Sequence, residues 1–153
     1  LLESELEQQQ HVDASVLPRG AVHADLFRDN ALWEGQAGTE RLSGVIDFYF
    51  AGIDSLLFDI AVTMNDWCIE ANGEINPARQ AAMLSAYRRV RQFTEAEKKA
   101  WPMMLRAAAL RFWLSRLFDF HLPRTGQLTH AHDPEHFRRI LELRRRHTPG
   151  LGD

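Results

Sequence analysis

The sequence predicts an α+β fold that is mostly helical around one small β-hairpin. Its 153 residues are 45% hydrophobic, which is enough apolar surface to bury one core of ordinary size but not two. Short apolar runs separated by a glycine-containing turn lie between residues 21 and 50, a pattern typical of paired strands. Residues 54–146 show helix-capping residues followed by apolar residues at helical spacing, which predicts a set of packed helices.

The first elements are a short helical segment and the strands of the hairpin. Residues 1–16 are charged and glutamine-rich, and we interpret them as part of a linker helix. Strands are predicted at 21–22, 31–33 and 42–50, with a turn at 34–39. The first two strands therefore flank one polar loop, and a loop can hold functional groups in place only when rigid elements flank it.

The polar residues of this loop have the layout of a phosphotransferase catalytic loop. His23, Asp25 and Asn30 form the pattern H-x-D-x-x-x-x-N, and Asp47 follows Val45 and Ile46 at hairpin distance. A kinase must accept the proton of an attacking hydroxyl and neutralise the nucleotide phosphates with magnesium. We therefore predict Asp25 as the catalytic base and Asn30 and Asp47 as Mg²⁺ ligands. His23 is predicted to bond backbone groups and keep the loop in shape.

Two helices are predicted directly after the hairpin. Asp54 or Ser55 would cap the first, which would run to about residue 70. Asp59 lies inside it, and we interpret it as a structural acid that bonds the neighbouring loop. Asn76 followed by Pro77 predicts the start of the second, with asparagine as the cap.

The C-terminal third of the chain predicts three further helices. Thr94 and Glu97 have the spacing of a capping box, which predicts a short helix to about residue 100. Pro102 is expected to begin another, apolar on nearly every side, that runs to about residue 120 as the central buried helix. A last amphipathic helix carries Phe137, and residues 148–153 are predicted to form a disordered tail after the basic run at 144–146.

Three arginines interrupt the predicted central helix at intervals of five residues: Arg106, Arg111 and Arg116. A charged group in a buried helix must find a partner or a cavity. An acid of this chain is one partner, with three candidates: Asp54, Asp59 and Asp66. A substrate carboxylate is the other, and Arg111 is our first choice for it. Both alternatives stay open for each arginine.

The sequence also resembles the aminoglycoside phosphotransferase and choline kinase superfamily. The resemblance is carried by the runs 17–30 and 44–51, with further similarity at 59–61, 65–68 and 109–112. Within the superfamily these runs are most similar to bacterial homoserine kinases of the kinase-like type. The resemblance implies that residues 17–147 form a kinase-like C-terminal lobe. It covers nearly the whole chain, but the runs that point to homoserine are less distinctive than the catalytic motif.

The resemblance implies an activity, its substrates and further site residues. The activity is transfer of the ATP γ-phosphate to the hydroxyl of L-homoserine, which yields O-phosphohomoserine on the route to threonine, with ATP and Mg²⁺ as cofactors. Substrate-binding candidates are Arg111, Asp66, Trp67 and Tyr49. Another phosphotransferase of the superfamily, acting on an amino alcohol or an aminoglycoside, is the close alternative. A non-catalytic binding module is the alternative from another class.

The lysines indicate how much of a kinase the chain contains. Kinases of this architecture place a phosphate-covering hairpin and a strand lysine before the catalytic loop. Here the only lysines are Lys98 and Lys99, both after the loop. We therefore expect the N-terminal nucleotide lobe, a partner of the same kinase, to be absent from this chain. We also expect the isolated chain to be inactive and to self-associate through its exposed lobe interface.

Charge and cysteine content exclude some partners and compartments. The net charge of -3 gives no overall attraction to nucleic acid or to a membrane. Cys68 is the only cysteine, so no internal disulfide can form, which fits a reducing cytoplasm. No apolar run approaches the roughly 20 residues of a membrane span, and the first residues lack the pattern of a signal peptide. We predict a cytoplasmic protein.

Overall fold

The protein has a mixed α/β structure in which helices predominate. The computed structural model describes residues 1–11, 13–122 and 133–151. The helices of this part are α1 (Leu2–Gln9), α2 (Leu56–Trp67), α3 (Pro77–Arg88), α4 (Glu95–His121) and α5 (Glu135–Arg146). The strands are β1 (Arg19–Val22), β2 (Ala31–Glu34), β3 (Arg41–Val45) and β4 (Gly52–Ser55). Among the described residues, no helix is long and apolar enough to cross a membrane.

The strands form two antiparallel pairs instead of one hairpin. β2 pairs with β3, so that Ala31 lies opposite Val45. β1 pairs with β4, a strand that we did not predict because Asp54 and Ser55 resemble a helix cap. The prediction that the third strand reaches residue 50 was wrong. The strand ends at Val45 because Asp47 has a left-handed backbone with φ of +64°, and one helical turn follows it, Phe48–Phe50.

Two of the predicted helix starts are confirmed by their caps. The Asn76 side chain accepts a hydrogen bond of 2.9 Å from the backbone N–H of Arg79, and Pro77 occupies the first turn of α3. Thr94 and Glu97 form the predicted capping box at the start of α4. Ser55, one of the two predicted caps, occupies the N-cap position of α2, but its side chain makes no capping hydrogen bond.

The prediction that Pro102 begins a separate helix was wrong, because α4 runs through it without a break. Proline has no backbone N–H, so the helix forgoes one hydrogen bond at this point. Trp101 and Leu105, one turn apart, are only 1% and 0% exposed. Burial of this helix face stabilises the continuous helix and offsets the lost bond.

The core lies where α4 packs between α2 and α5, and it includes Met64, Leu105 and Ile140. It also encloses a charge, because Arg144 is only 3% exposed. The Arg144 guanidinium donates to the Asn65 side-chain oxygen at 3.0 Å and to the Gly73 carbonyl at 3.1 Å. Desolvation lowers the pKa of Arg144 to about 10. Arg144 therefore links α5 to α2 and to the turn after it.

The chain end differs from the predicted disordered tail. The Trp101 indole donates a hydrogen bond of 2.9 Å to the Pro149 carbonyl, and Leu151 is 3% exposed. Residues 148–151 therefore pack against the helices. They do so because a buried indole N–H needs an acceptor. Residues 152 and 153 lie outside the described part of the chain.

Helix α1 is attached to the helical core through a buried acid. Glu5 is fully buried, and its carboxylate accepts hydrogen bonds from the guanidinium groups of Arg106, at 2.8 Å to one oxygen, and of Arg145, at 3.1 Å. Arg106 thus has an acid partner inside the chain. That partner is Glu5 and not one of the three aspartates considered from the sequence, because α1 packs beside α4 and α5.

Candidate active site

The loop between β1 and β2 is held by a carboxylate from α2. Asp59 accepts hydrogen bonds of 2.7 Å from the backbone N–H groups of both His23 and Ala24. Ala24 has a φ of +63°, a conformation that costs an alanine roughly 1 kcal/mol or more. The two charge-assisted bonds offset this strain and fix the backbone immediately before Asp25. The predicted structural contact between Asp59 and the loop is present.

The side chain of His23 joins this loop to the segment that carries Asp47. The His23 ring is buried, and its Nε2 lies 2.9 Å from the Ile46 carbonyl oxygen, to which it donates in the Nε2–H tautomer. The ring centroid also lies 4.7 Å from that of Phe48. His23 therefore contacts the residues on both sides of Asp47 and orients the two segments relative to each other.

Asp25 is a half-buried carboxylate with a raised pKa. Desolvation is the largest cause, since burial disfavours the charged form. The negative charge of Asp47 acts in the same direction, whereas Arg111, His23 and the Asn30 side chain act against it. A carboxylate in this setting holds a proton more readily than an exposed aspartate, as suits a proton acceptor.

Asn30 and Asp47 lie close together because the backbone joins their segments. The Asn30 side-chain amide donates to the Asp25 carbonyl at 2.7 Å, and the Ile46 N–H donates to the Asn30 carbonyl at 3.0 Å. The first bond uses the amide nitrogen of Asn30 and leaves its side-chain oxygen as a donor atom for a cation. Asp47 is exposed. One amide oxygen and one carboxylate are hard ligands of the kind that Mg²⁺ uses.

This oxygen pair fits a magnesium ion better than a transition metal. Within the described residues, no group of three or more histidines, cysteines or acids could hold a metal ion. Mg²⁺ commonly takes one or two carboxylates and fills its remaining positions with water and substrate phosphates. These two residues fit the protein part of such a site, whose other positions water and substrate phosphates would fill.

Arg111 lines an open cavity beside α4 and is close enough to Asp25 for the two charges to interact. The cavity has a volume of about 590 Å³, and one face of α4 forms most of its wall, including Arg111, Leu114 and Ser115. Desolvation lowers the pKa of Arg111, and the charge of Asp25 opposes that shift. In the described part of the chain no carboxylate forms an ion pair with Arg111. Its guanidinium is thus a half-buried cation near the base.

The other two arginines of α4 have different surroundings. Arg106 bonds to Glu5, as described above. The Arg116 guanidinium carbon lies 4.4 Å from the Phe137 ring centroid, and the group contacts the Asp133 carbonyl at 3.5 Å, which is at the limit of a hydrogen bond. Of the three arginines, Arg111 is the one that lines the cavity.

The remaining predicted substrate residues mostly contact the loop itself. Asp66 accepts a hydrogen bond of 2.8 Å from the Arg28 N–H and forms an ion pair with the Arg28 side chain. The Trp67 indole donates to the Leu26 carbonyl at 2.9 Å. Both residues therefore hold the loop from the end of α2. Tyr49 is 82% exposed and meets the Phe50 ring edge-on.

One residue of this region was missed by the sequence analysis. Phe50 lies three residues after Asp47, and its ring centroid is 4.6 Å from the Arg111 guanidinium carbon. A phenylalanine in an apolar run carries no sequence signal for such a contact. Only the fold, which brings the turn after β3 against α4, reveals it.

Comparisons with known proteins show which family this chain is similar to. Residues 2–93 match the phosphotransferase enzyme family, APH. A homoserine kinase of Ralstonia pickettii (strain 12J) is 56% identical over 151 residues, which cover 94% of this chain and 45% of that protein. A homoserine kinase of Burkholderia vietnamiensis (strain G4 / LMG 22486) is 52% identical over 160 residues, which cover 99% and 48%. The chain spans about half the length of these curated relatives.

Proposed function

This chain belongs to the phosphotransferase enzyme family, and we propose that it supplies the catalytic base, the metal ligands and the acceptor site of a homoserine kinase. In this proposal residues 17–147 form the kinase-like C-terminal lobe. The observation that carries it is the cluster of Asp25, Asn30 and Asp47 around one rigid loop. Relatives more than 50% identical that are named homoserine kinase support L-homoserine as the acceptor.

Asp25 acts as the base in this mechanism. Its carboxylate takes the proton from the side-chain hydroxyl of the acceptor as the oxygen attacks the γ-phosphate of ATP. The raised pKa of Asp25 supports this role, because a base works best when its pKa approaches the working pH. Asp59 and His23 hold the loop so that the carboxylate does not need to reorganise during the transfer.

Asn30 and Asp47 hold the metal in this proposal. A Mg²⁺ ion held by these two residues would neutralise charge on the nucleotide phosphates. Asp47 provides the charged ligand, and Asn30 adds an oxygen without a second negative charge beside Asp25. The bond from Asn30 to the Asp25 carbonyl keeps the metal ligand and the base at a constant separation.

Arg111 binds the carboxylate of the acceptor. Homoserine is a zwitterion, so its site needs a strong donor for the carboxylate, and a guanidinium can bind a carboxylate through two parallel bonds. The position of Arg111, in the cavity wall and electrostatically coupled to Asp25, supports this assignment. Asp66, Trp67 and Tyr49 stay candidates for contacts at the rim of the site, with Asp66 as the acid for the ammonium group.

A panel of acceptors tests the function. The protein as encoded by its gene is incubated with ATP and Mg²⁺, and ADP release is measured with L-homoserine, choline and an aminoglycoside in turn. We expect turnover with homoserine and formation of O-phosphohomoserine. Turnover with choline or the aminoglycoside instead would move the protein to another branch of the superfamily. Binding of homoserine without turnover of any acceptor would favour a non-catalytic module.

A further inference from the structure

Two aromatic rings hold the guanidinium of Arg111. Its carbon lies 4.6 Å from the Phe50 ring centroid and 4.4 Å from that of Phe112. Phe112 is the next residue of α4 and is buried, whereas Phe50 is 49% exposed and comes from the turn after β3. A cation over a ring face is attracted by the ring, and a guanidinium stacked on such faces would keep its N–H edge available for a carboxylate.

The segment that carries Phe50 also carries the proposed metal ligand. Asp47 begins this segment, and the hydrogen bond from the Ala51 N–H to the Phe48 carbonyl, 3.0 Å long, closes the turn between them. The Phe48 ring contacts His23 of the catalytic loop, and the Phe50 ring contacts Arg111 of α4. One short turn therefore joins the metal ligand, the catalytic loop and the acceptor arginine.

We propose that Phe50 is a positioning residue that holds the Arg111 guanidinium edge toward the acceptor carboxylate and couples acceptor binding to the metal bound at Asp47. This inference rests on the proposed function and assigns a new role within the same site. Without the Phe50 ring, Arg111 keeps its charge and its contact with Phe112 but loses the contact that fixes it from the opposite segment. Fixing the side chain in advance reduces the ordering cost when the acceptor binds.

We expect metal binding and acceptor binding to be coupled because the turn from Asp47 to Phe50 is short and its first residue, Asp47, is the proposed metal ligand. If Asp47 held a metal, the turn that follows it would be more restricted and the Phe50 ring would stay over Arg111 for a larger fraction of the time. Acceptor affinity should therefore rise when Mg²⁺ and a non-hydrolysable ATP analogue are present. By reciprocity, the acceptor should strengthen nucleotide binding by the same factor.

The test replaces Phe50 by leucine and by tyrosine. Phe50→Leu removes the ring but keeps an apolar side chain, and we expect the KM for homoserine to rise about 3- to 30-fold, the range of a cation–ring contact. The dissociation constant of ATP measured without homoserine and the thermal midpoint should stay near their original values, whereas the KM for ATP at saturating homoserine should rise by the lost coupling factor. Phe50→Tyr keeps a ring and should restore the KM for homoserine. Phe118→Leu, which removes an exposed ring elsewhere on α4, serves as the matched control and should change none of these constants.

A binding experiment gives a second readout that needs no turnover. Isothermal calorimetry with homoserine, with and without Mg²⁺ and the ATP analogue, measures the coupling directly. We expect the coupling factor to fall toward one in Phe50→Leu and to persist in Phe50→Tyr.

Two different failures can be told apart. If the unsubstituted protein turns over homoserine but Phe50→Leu leaves both the KM for homoserine and the coupling unchanged, the role of Phe50 is overturned and the proposed function stands. A lowered thermal midpoint together with weaker binding of ATP measured without homoserine would also overturn it, by making Phe50 a structural residue. If the unsubstituted protein turns over no homoserine, the proposed function itself fails.

Discussion

The Asp59 carboxylate accepts a 2.7 Å hydrogen bond from the backbone N–H of Ala24, the residue that immediately precedes Asp25. Because Ala24 has a left-handed backbone, the loop is stable in this shape only while Asp59 holds it. A helix residue that touches no substrate thereby sets the position of the proposed base.

Asp59→Ala should lower both turnover and stability. Hydrogen bonds to a charged group contribute about 2 kcal/mol each, so the free energy of unfolding should fall by at least about 2 kcal/mol. Turnover should fall further than the loss of folded protein explains, since Asp25 is no longer fixed. Asp54→Ala is the control, because Asp54 is exposed and, among the described residues, its carboxylate accepts a hydrogen bond only from the next backbone N–H. Urea denaturation and turnover, measured on the same preparations, test this prediction. Unchanged turnover in Asp59→Ala would show that Asp59 does not position Asp25.

Glu5→Gln should destabilise the attachment of α1. The substitution leaves the half-buried guanidinium of Arg106 without its carboxylate, and breaking one side of a buried ion pair costs about 3 kcal/mol. Glu3→Gln changes an exposed acid of the same helix and should have little effect. Denaturant midpoints compare the two variants. Similar midpoints for both would show that the contacts of Glu5 contribute little.

Asp47→Ala should abolish activity and weaken nucleotide binding in the presence of Mg²⁺. The substitution removes the one charged ligand in the proposed metal site, so raising the Mg²⁺ concentration should not restore activity. Glu40→Ala removes an exposed carboxylate from the turn between β2 and β3 and should leave both properties intact. Calorimetric titration with ATP and Mg²⁺ measures the loss. Unchanged affinity, or full rescue at high Mn²⁺, would argue against Asp47 as a ligand.

Arg111→Lys should raise the KM for homoserine far more than the KM for ATP. Lysine keeps the positive charge but cannot bind a carboxylate through two parallel bonds. Steady-state kinetics with each substrate varied in turn measures the two constants, and Arg106→Lys offers a comparison on the same helix. A structural role for Arg111 would instead appear as equal losses for both substrates with a lower thermal midpoint.

The sequence predicted the helix caps better than it predicted the extent of the strands and helices. The caps at Asn76 and Thr94 depend on short-range patterns, and short-range patterns are visible in a sequence. The contact of Asp59 with the loop spans 35 residues, and the sequence predicted it only as a structural acid that bonds the neighbouring loop. β4 was missed because its residues also suit a helix cap. The continuity of α4 through Pro102 was missed because burial of Trp101 and Leu105 outweighs a local helix-breaking signal.

Contacts between distant segments were the least predictable part. The partner of Arg106 is an acid in α1, about a hundred residues away, and no spacing rule connects the two. The burial of Arg144 within the core and the contact of Phe50 with Arg111 likewise depend on how helices pack. Such pairs follow from the tertiary arrangement and not from periodicity.

The raised pKa of Asp25 predicts an effect on the free energy of unfolding that can be measured independently of turnover. Burial raises this pKa, so the folded protein binds the proton more tightly than the unfolded chain does. The ionised carboxylate therefore lowers the free energy of unfolding at neutral pH. This destabilisation disappears as the pH falls below the pKa of the unfolded chain. A neutral residue at position 25 should consequently stabilise the protein at neutral pH.

Asp25→Asn, assayed for turnover and for stability on one preparation, tests the account most directly. We predict that turnover with homoserine falls by about 10² to 10⁴, the usual contribution of a general base, while ATP affinity changes little. The free energy of unfolding should rise at pH 7 and match the unsubstituted protein at low pH. A variant that keeps near-normal turnover would remove Asp25 from the mechanism and contradict the central claim.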